Sequence, residues 1–143
     1  MVGSRFGPRA LSLLRIVAAL LFLQHGTSKV LGFPPFPGGA PAVGSLFWIA
    51  GVIEIIGGLL LLFGFFTRPI AFLLSGEMAI GYWMIHAPES TFPLLNKGES
   101  AILFCFIFLL IAAAGPGPWS LDASRKKTVA VTEDSIGQPP PEG

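Results

Sequence analysis

Residues 46–66 read LFWIAGVIEIIGGLLLLFGFF, and this stretch decides the fold. Its only ionisable side chain is Glu54. A bilayer-spanning helix needs roughly 17–25 mostly apolar residues, and this run suffices. Lipid offers backbone amides no partners, so only helices and closed barrels cross it. Barrel strands alternate apolar and polar residues, whereas Leu59-Leu60-Leu61-Leu62-Phe63 is continuous. The reading is therefore a helix.

The same pattern extends in both directions. An earlier apolar run covers Leu11 to Leu31 and is broken by Phe33-Pro34-Pro35-Phe36-Pro37-Gly38-Gly39. Proline lacks the amide donor and glycine carries an entropic penalty, so that segment is a loop. Thr67-Arg68-Pro69 is a tight connection that forces an antiparallel hairpin. A third run, Ile70 to about Ile85, stops at Ala87-Pro88, and a polar segment follows from Glu89 to Gly98. The fourth run is about Glu99 to Ala114, closed by Gly115-Pro116-Gly117-Pro118, with Trp119 where an interfacial aromatic belongs. Past Ser124 the chain is charged and proline-rich, which predicts disorder. The expected organisation is a cytoplasmic segment over 1–10, a four-helix membrane domain over 11–122 and a disordered cytoplasmic tail over 123–143. The fold class is all-α, an integral membrane four-helix bundle.

Composition excludes the other broad classes. Of 143 residues, 12% are charged, against about 25% in ordinary soluble domains. Mean hydropathy is +0.73, too high for a surface facing water. A net charge of +1 gives no reason to expect nucleic acid. The single cysteine, Cys105, builds neither a disulfide nor a CxxC pair and reads as a small packing residue. Arg5 and Arg9 precede the first run as in a signal peptide, but Leu11–Leu31 is too long for an h-region and no A-x-A-like site follows. An uncleaved first helix is expected.

Lysine and arginine set the orientation. Four crossings put Arg5, Arg9, Arg68, Arg125, Lys126 and Lys127 on one side, and Lys97 with Lys29 on the other. The positive-inside rule makes the first side cytoplasmic, with both termini there. The expected location is a membrane whose basic side faces the cytoplasm.

Charge inside the runs carries the functional information. An ionised side chain at a helix centre costs about 2.5–3.5 kcal/mol on insertion scales. The first run holds Arg15, His25 and Lys29, the second Glu54 and the third Glu77, while His86 and Glu99 sit at outer ends. At about 100° per residue, Arg15, Phe22, His25, Gly26 and Lys29 share one helix face. Gly51, Gly57 and Gly58 flank Glu54, and small residues let a neighbouring helix approach. Gly81 and Met84 share the face of Glu77. These stripes converge on a polar pocket of His25, Glu54 and Glu77, with Lys29, His86, Glu89, Asn96, Lys97 and Glu99 at an outward-facing mouth.

Plainer readings stand beside this one. Arg15, near the cytoplasmic end, reads as snorkelling to headgroups. Lys29 and Glu99 read equally as interfacial residues. Glu54 and Glu77 fit a structural ion-pair network with Lys29 or His25, or groups that bind a ligand or exchange protons. Two histidines and two glutamates are metal-binding residue types, but no HxxxH or ExxH pair puts two of them on adjacent turns, so no metal site is assigned. A quinone fits a pocket walled by Phe22, Trp48, Trp83 and Phe92.

The chain resembles the DoxX family of small bacterial four-helix membrane proteins. Leu14-Arg15, Leu23-Gln24-His25-Gly26 with Lys29, and Glu54 with Gly57-Gly58 carry the likeness. So do Leu62-Phe63-Gly64 before Thr67-Arg68, Gly76-Glu77-Met78-Ala79, His86-Ala87-Pro88, Phe92-Pro93-Leu94-Leu95-Asn96 before Gly98-Glu99, and Ala114 to Asp122. The resemblance spans about Leu11 to Asp122. It implies redox work at the membrane, since relatives include a subunit of a thiosulfate:quinone oxidoreductase and a component of an oxidative-stress complex. Expected on that basis are a quinone-linked or thiol/sulfur-redox accessory subunit, a quinone ligand, a membrane-associated oxidoreductase partner, the lipid bilayer and further copies of the chain. The alternatives are a non-enzymatic scaffold or assembly factor, and a small-solute or proton-coupled transporter.

Overall fold

Where apolar residues run without interruption, the chain is helical. The computed structural model describes residues 6–136, with side chains described as far as Val129. Arg5 and residues 137–143 lie outside the described residues, and so do the expectations attached to them. Helix α1 is Phe6–Leu31, α2 is Leu46–Phe63 and α3 is Thr67–Gly81, prolonged by a π-helical turn over Tyr82–His86. A single turn, α4, covers Pro93–Asn96, and α5 (Glu99–Ala114) and α6 (Leu121–Ile136) complete the order. The described residues include no β-strand.

Local chemistry sets the boundaries. The Ser45 hydroxyl accepts the Trp48 amide at 3.3 Å and starts α2. Gly64, at φ 68°, ends it, its amide turning back onto the Leu60 and Leu61 carbonyls. Phe66 also has a left-handed backbone, at φ 48°, so the Gly64–Phe66 corner is unusually tight. The π turn shows in the Ala87 amide, which donates to Tyr82 O at 2.9 Å, five residues back.

Several boundaries differ from expectation: α2 ends at Phe63 rather than Phe66, and Thr67-Arg68-Pro69, expected as the connection, is the first turn of α3, so the corner falls at Gly64–Phe66. Helix α1 covers Phe6–Leu31, so residues 6–10 are helical where the apolar run is expected to begin only at Leu11. Pro8 is tolerated because first-turn amides have no intrahelical partner to lose. Residues Leu121–Ile136 form a helix where composition predicts disorder. Ser120 Oγ accepts the Ala123 amide at 3.1 Å, and Asp122 docks on the α2–α3 corner. A cap and a tertiary anchor thus supply what the low hydrophobicity lacks.

Helices α1 and α2 are long and apolar enough to cross a bilayer, and α5 is apolar over sixteen residues. Their outer faces expose Leu20, Leu21, Ile49, Ile53, Ile56, Leu59, Leu103 and Phe106, and α3 adds Phe72 and Leu73. Soluble proteins rarely leave such contiguous apolar surface in water; lipid is the solvent that suits it. Helix α1 packs on α2 and α3 on α5, and the pairs are joined by α2–α3 and α1–α5 contacts. Phe22, Phe104 and Phe108 stack between α1 and α5, with the Phe22 and Phe108 rings 4.8 Å apart and edge to face. Without water to drive association, close fit must hold the helices. A Cβ on Gly26 would lie 2.8 Å from Gly51 O, and one on Gly51 would lie 2.8 Å from Lys29 Cβ.

Candidate functional site

The glycine contact between α1 and α2 sits beside the most costly charges in the bundle. Lys29 Nζ donates to Glu54 Oε1 at 2.5 Å. The Glu54 side chain is 2% exposed and that of Lys29 15%, so the pair is nearly closed off. Glu54 Oε2 is buried with no hydrogen-bond partner, and the same holds for both carboxylate oxygens of Glu77. The charges of Glu54 and Lys29 both act on Glu77, so the three belong to one electrostatic group. Buried polar atoms are normally bonded. Three unpartnered carboxylate oxygens beside one ammonium leave acceptor capacity in excess of the donors present.

His25 stands at the edge of this group. Its ring meets Phe104 edge-on, with centroids 5.7 Å apart, and it lies within reach of the Lys29 charge. The residue itself is exposed.

Two of the residues expected at the mouth, His86 and Glu99, lie at the ends of their helices. His86 Nδ1 is 2.9 Å from Asn96 O, and its ring stacks on Tyr82. Asn96 is fully buried; its amide donates to Ser90 O at 2.8 Å and its Oδ1 accepts the Gly98 amide at 2.8 Å. His86 is thus held in a knot that folds the 87–98 connection over the bundle end. Glu99 is exposed in the first turn of α5. Among the described residues neither makes a hydrogen bond or salt bridge to Lys29, Glu54 or Glu77. Of the expected pocket walls Trp48, Trp83 and Phe92, the last two point outward, 72% and 66% exposed.

At the opposite end of the bundle, charge does structural work. Arg15 is fully buried rather than snorkelling. Its guanidinium donates to Leu61 O, to Leu62 O at 2.7 Å, to Pro116 O at 2.9 Å and to Trp119 O. It caps the last carbonyls of α2, which have no intrahelical partner, and ties the 115–119 loop to them. Arg68 caps α5 in the same way, donating to Ala112 O at 3.1 Å and Ala113 O at 2.7 Å. Asp122 accepts the Phe66 and Thr67 amides at 3.1 and 2.9 Å, capping α3 from another element. Partial burial pushes the Asp122 carboxyl up, but the Thr67 and Phe66 hydrogen bonds and the Arg125 charge outweigh it and hold the group below the usual carboxylate range. Sequence places Arg15 at the right depth but offers no sign of which carbonyls it meets.

Comparison with known proteins agrees with this architecture. Residues 10–87 match the family model described as DoxX. The chain is 45% identical to an uncharacterized protein of Haemophilus influenzae, over 82% of this chain and 92% of that one. It is 33% identical to the inner membrane protein YphA of Escherichia coli, over 80% and 89% of the two chains. The inner membrane protein YqjF of Escherichia coli is 30% identical, over 79% and 89%. No solved structure matches. With a family model over more than half its length, and inner-membrane relatives over most of theirs, the chain is a bacterial inner-membrane protein and belongs to the DoxX family.

Proposed function

We propose that the chain is an accessory subunit of a membrane redox system and binds a quinone at Lys29, Glu54 and Glu77, with His25 at the edge. The supporting observation is the set of buried, unpartnered oxygens on Glu54 and Glu77. A quinone's two oxygens accept hydrogen bonds when oxidised and donate them when reduced. Lys29 serves the first form and the free carboxylate oxygens the second. The Phe22–Phe104–Phe108 stack supplies an apolar wall beside His25. Electrons come from a partner oxidoreductase, and the carboxylates hold the protons that accompany them. His86 and Glu99 belong to the outer rim rather than to the ligand set.

This reading takes α1, α2, α3 with its π turn, and α5 as four crossings, with both termini in the cytoplasm. Cysteine at Ala40 should then react with an impermeant maleimide from outside whole cells, and cysteine at Ser124 only after lysis. For the ligand, the protein is purified in mild detergent and its lipids are extracted. Quinone should copurify with the parent and be depleted at least tenfold from Glu77→Gln. A parent with no quinone, or equal quinone in both, ends the reading.

The alternative is a scaffold that recruits a soluble oxidoreductase. The Lys29–Glu54 pair beside the Gly26–Gly51 contact favours it, since a buried pair at a close approach fixes helix register.

A further inference from the structure

The end of the bundle remote from the Lys29 group carries a groove of about 860 Å³. Leu11 of α1 and Phe66 and Pro69 at the α3 start give it apolar walls, and Arg68, Arg125 and Lys126 give it three cations. Asp122 is the only carboxylate among the described residues of the lining, and both its oxygens are committed to the Phe66 and Thr67 amides. Arg68 is occupied by the end of α5. Arg125 lies over the Phe65 ring, 5.5 Å from its centroid, and neither it nor Lys126 forms a salt bridge among the described residues. Phe66 in the lining, and Trp119 one residue past the lining residue Pro118, are each more than half exposed, as aromatic residues are at headgroup level.

We propose that this groove holds the headgroup of an anionic phospholipid, its phosphodiester on Arg125 and Lys126 and the start of an acyl chain along Leu11, Phe66 and Pro69. Charge complementarity selects the occupant. Two cations without a salt bridge, Lys126 and the Arg125 that Asp122 only partly offsets, stand beside an apolar wall and suit a phosphate that carries a hydrocarbon tail. A zwitterionic headgroup would bring its own ammonium against that rim. The inference rests on the four-crossing reading, which puts this end at the cytoplasmic membrane surface.

The full chain in detergent is titrated with phosphatidylglycerol or with phosphatidylcholine of the same acyl chains, and bound lipid is counted by native mass spectrometry. Phosphatidylglycerol should bind at least tenfold tighter. Arg125→Ala/Lys126→Ala should weaken it about thirtyfold, at about fivefold per basic residue, while Lys127→Ala, outside the groove, leaves it unchanged. Should the double variant not fold, Lys126→Gln alone should still cost about fivefold. Glu77→Gln should bind phosphatidylglycerol like the parent, and the double variant should keep its copurified quinone, so the two sites stand or fall separately. Equal affinity for both lipids, or for parent and variants, overturns the proposal. Displacement by equimolar inorganic phosphate would assign the groove to a soluble phosphate and overturns it too. Displacement by a polyglutamate peptide would assign the groove to an acidic protein partner, and the lipid proposal would fall with it.

Discussion

Lys29 Nζ and Glu54 Oε1 lie 2.5 Å apart, next to the point where Gly26 and Gly51 let α1 and α2 touch backbone to backbone. Neither charge is stable there without the other. Removing one partner of a buried pair costs about 3–5 kcal/mol, whereas replacing both by apolar groups is often neutral. Lys29→Met and Glu54→Leu should each lower stability by that amount in detergent unfolding, and Lys29→Met/Glu54→Leu should recover most of it. Additive losses in the double variant would show that the two residues act independently.

The glycines can be tested against an internal control. Gly26→Ala and Gly51→Ala place a methyl group 2.8 Å from Gly51 O and Lys29 Cβ respectively. Overpacking of this kind costs about 1–3 kcal/mol. Gly76→Ala meets nothing within 4 Å, so it should be neutral or slightly stabilising by helix propensity. Melting temperatures of the three variants check the ranking.

Arg15→Lys keeps the charge but not the planar fork. One ammonium cannot reach the carbonyls of Leu61, Leu62, Pro116 and Trp119 together. Each buried carbonyl left unbonded costs about 1–3 kcal/mol, so even the conservative change should destabilise by about 2–4 kcal/mol. Arg68→Lys, at an exposed site, should cost far less. Equal losses for the two substitutions would remove the special status given to Arg15.

Asp122 makes stability depend on acid. Its carboxyl is held below the usual range in the folded chain, so the unfolded chain binds its proton first. The contribution is complete above about pH 4, the ordinary aspartate value, and is lost as pH falls through the lower folded value. Asp122→Asn should flatten that limb of a melting-temperature profile while leaving neutral-pH behaviour closer to the parent. Asp122→Ala, which also loses the cap, should cost about 0.5–2 kcal/mol at pH 7.

Helices α1 and α2 are legible in the sequence because their apolar runs are long and their breakers are proline and glycine. The stripe of Gly51, Glu54, Gly57 and Gly58 is legible for a related reason: helical period places those residues on one face whatever surrounds them. Partners across the bundle are not legible. Sequence shows that Glu54 needs a cation but leaves Lys29 and His25 equivalent, and only the α1–α2 contact brings Nζ to Oε1. His86 reads as a mouth residue, but its bond to the Asn96 carbonyl, ten positions on, is not visible in the sequence. The helix over Leu121–Ile136 escapes a sequence reading because its anchor, Asp122 on Phe66 and Thr67, joins residues 55 and 56 positions apart.

The reach of Arg15 has a consequence for synthesis. Its first two acceptors, Leu61 and Leu62, emerge from the ribosome soon after it does. The other two, Pro116 and Trp119, follow about a hundred residues later. Until then a nascent chain carries a half-bonded guanidinium within its first hairpin. Any product truncated before Pro116 lacks two of the four acceptors and keeps a buried guanidinium only half bonded.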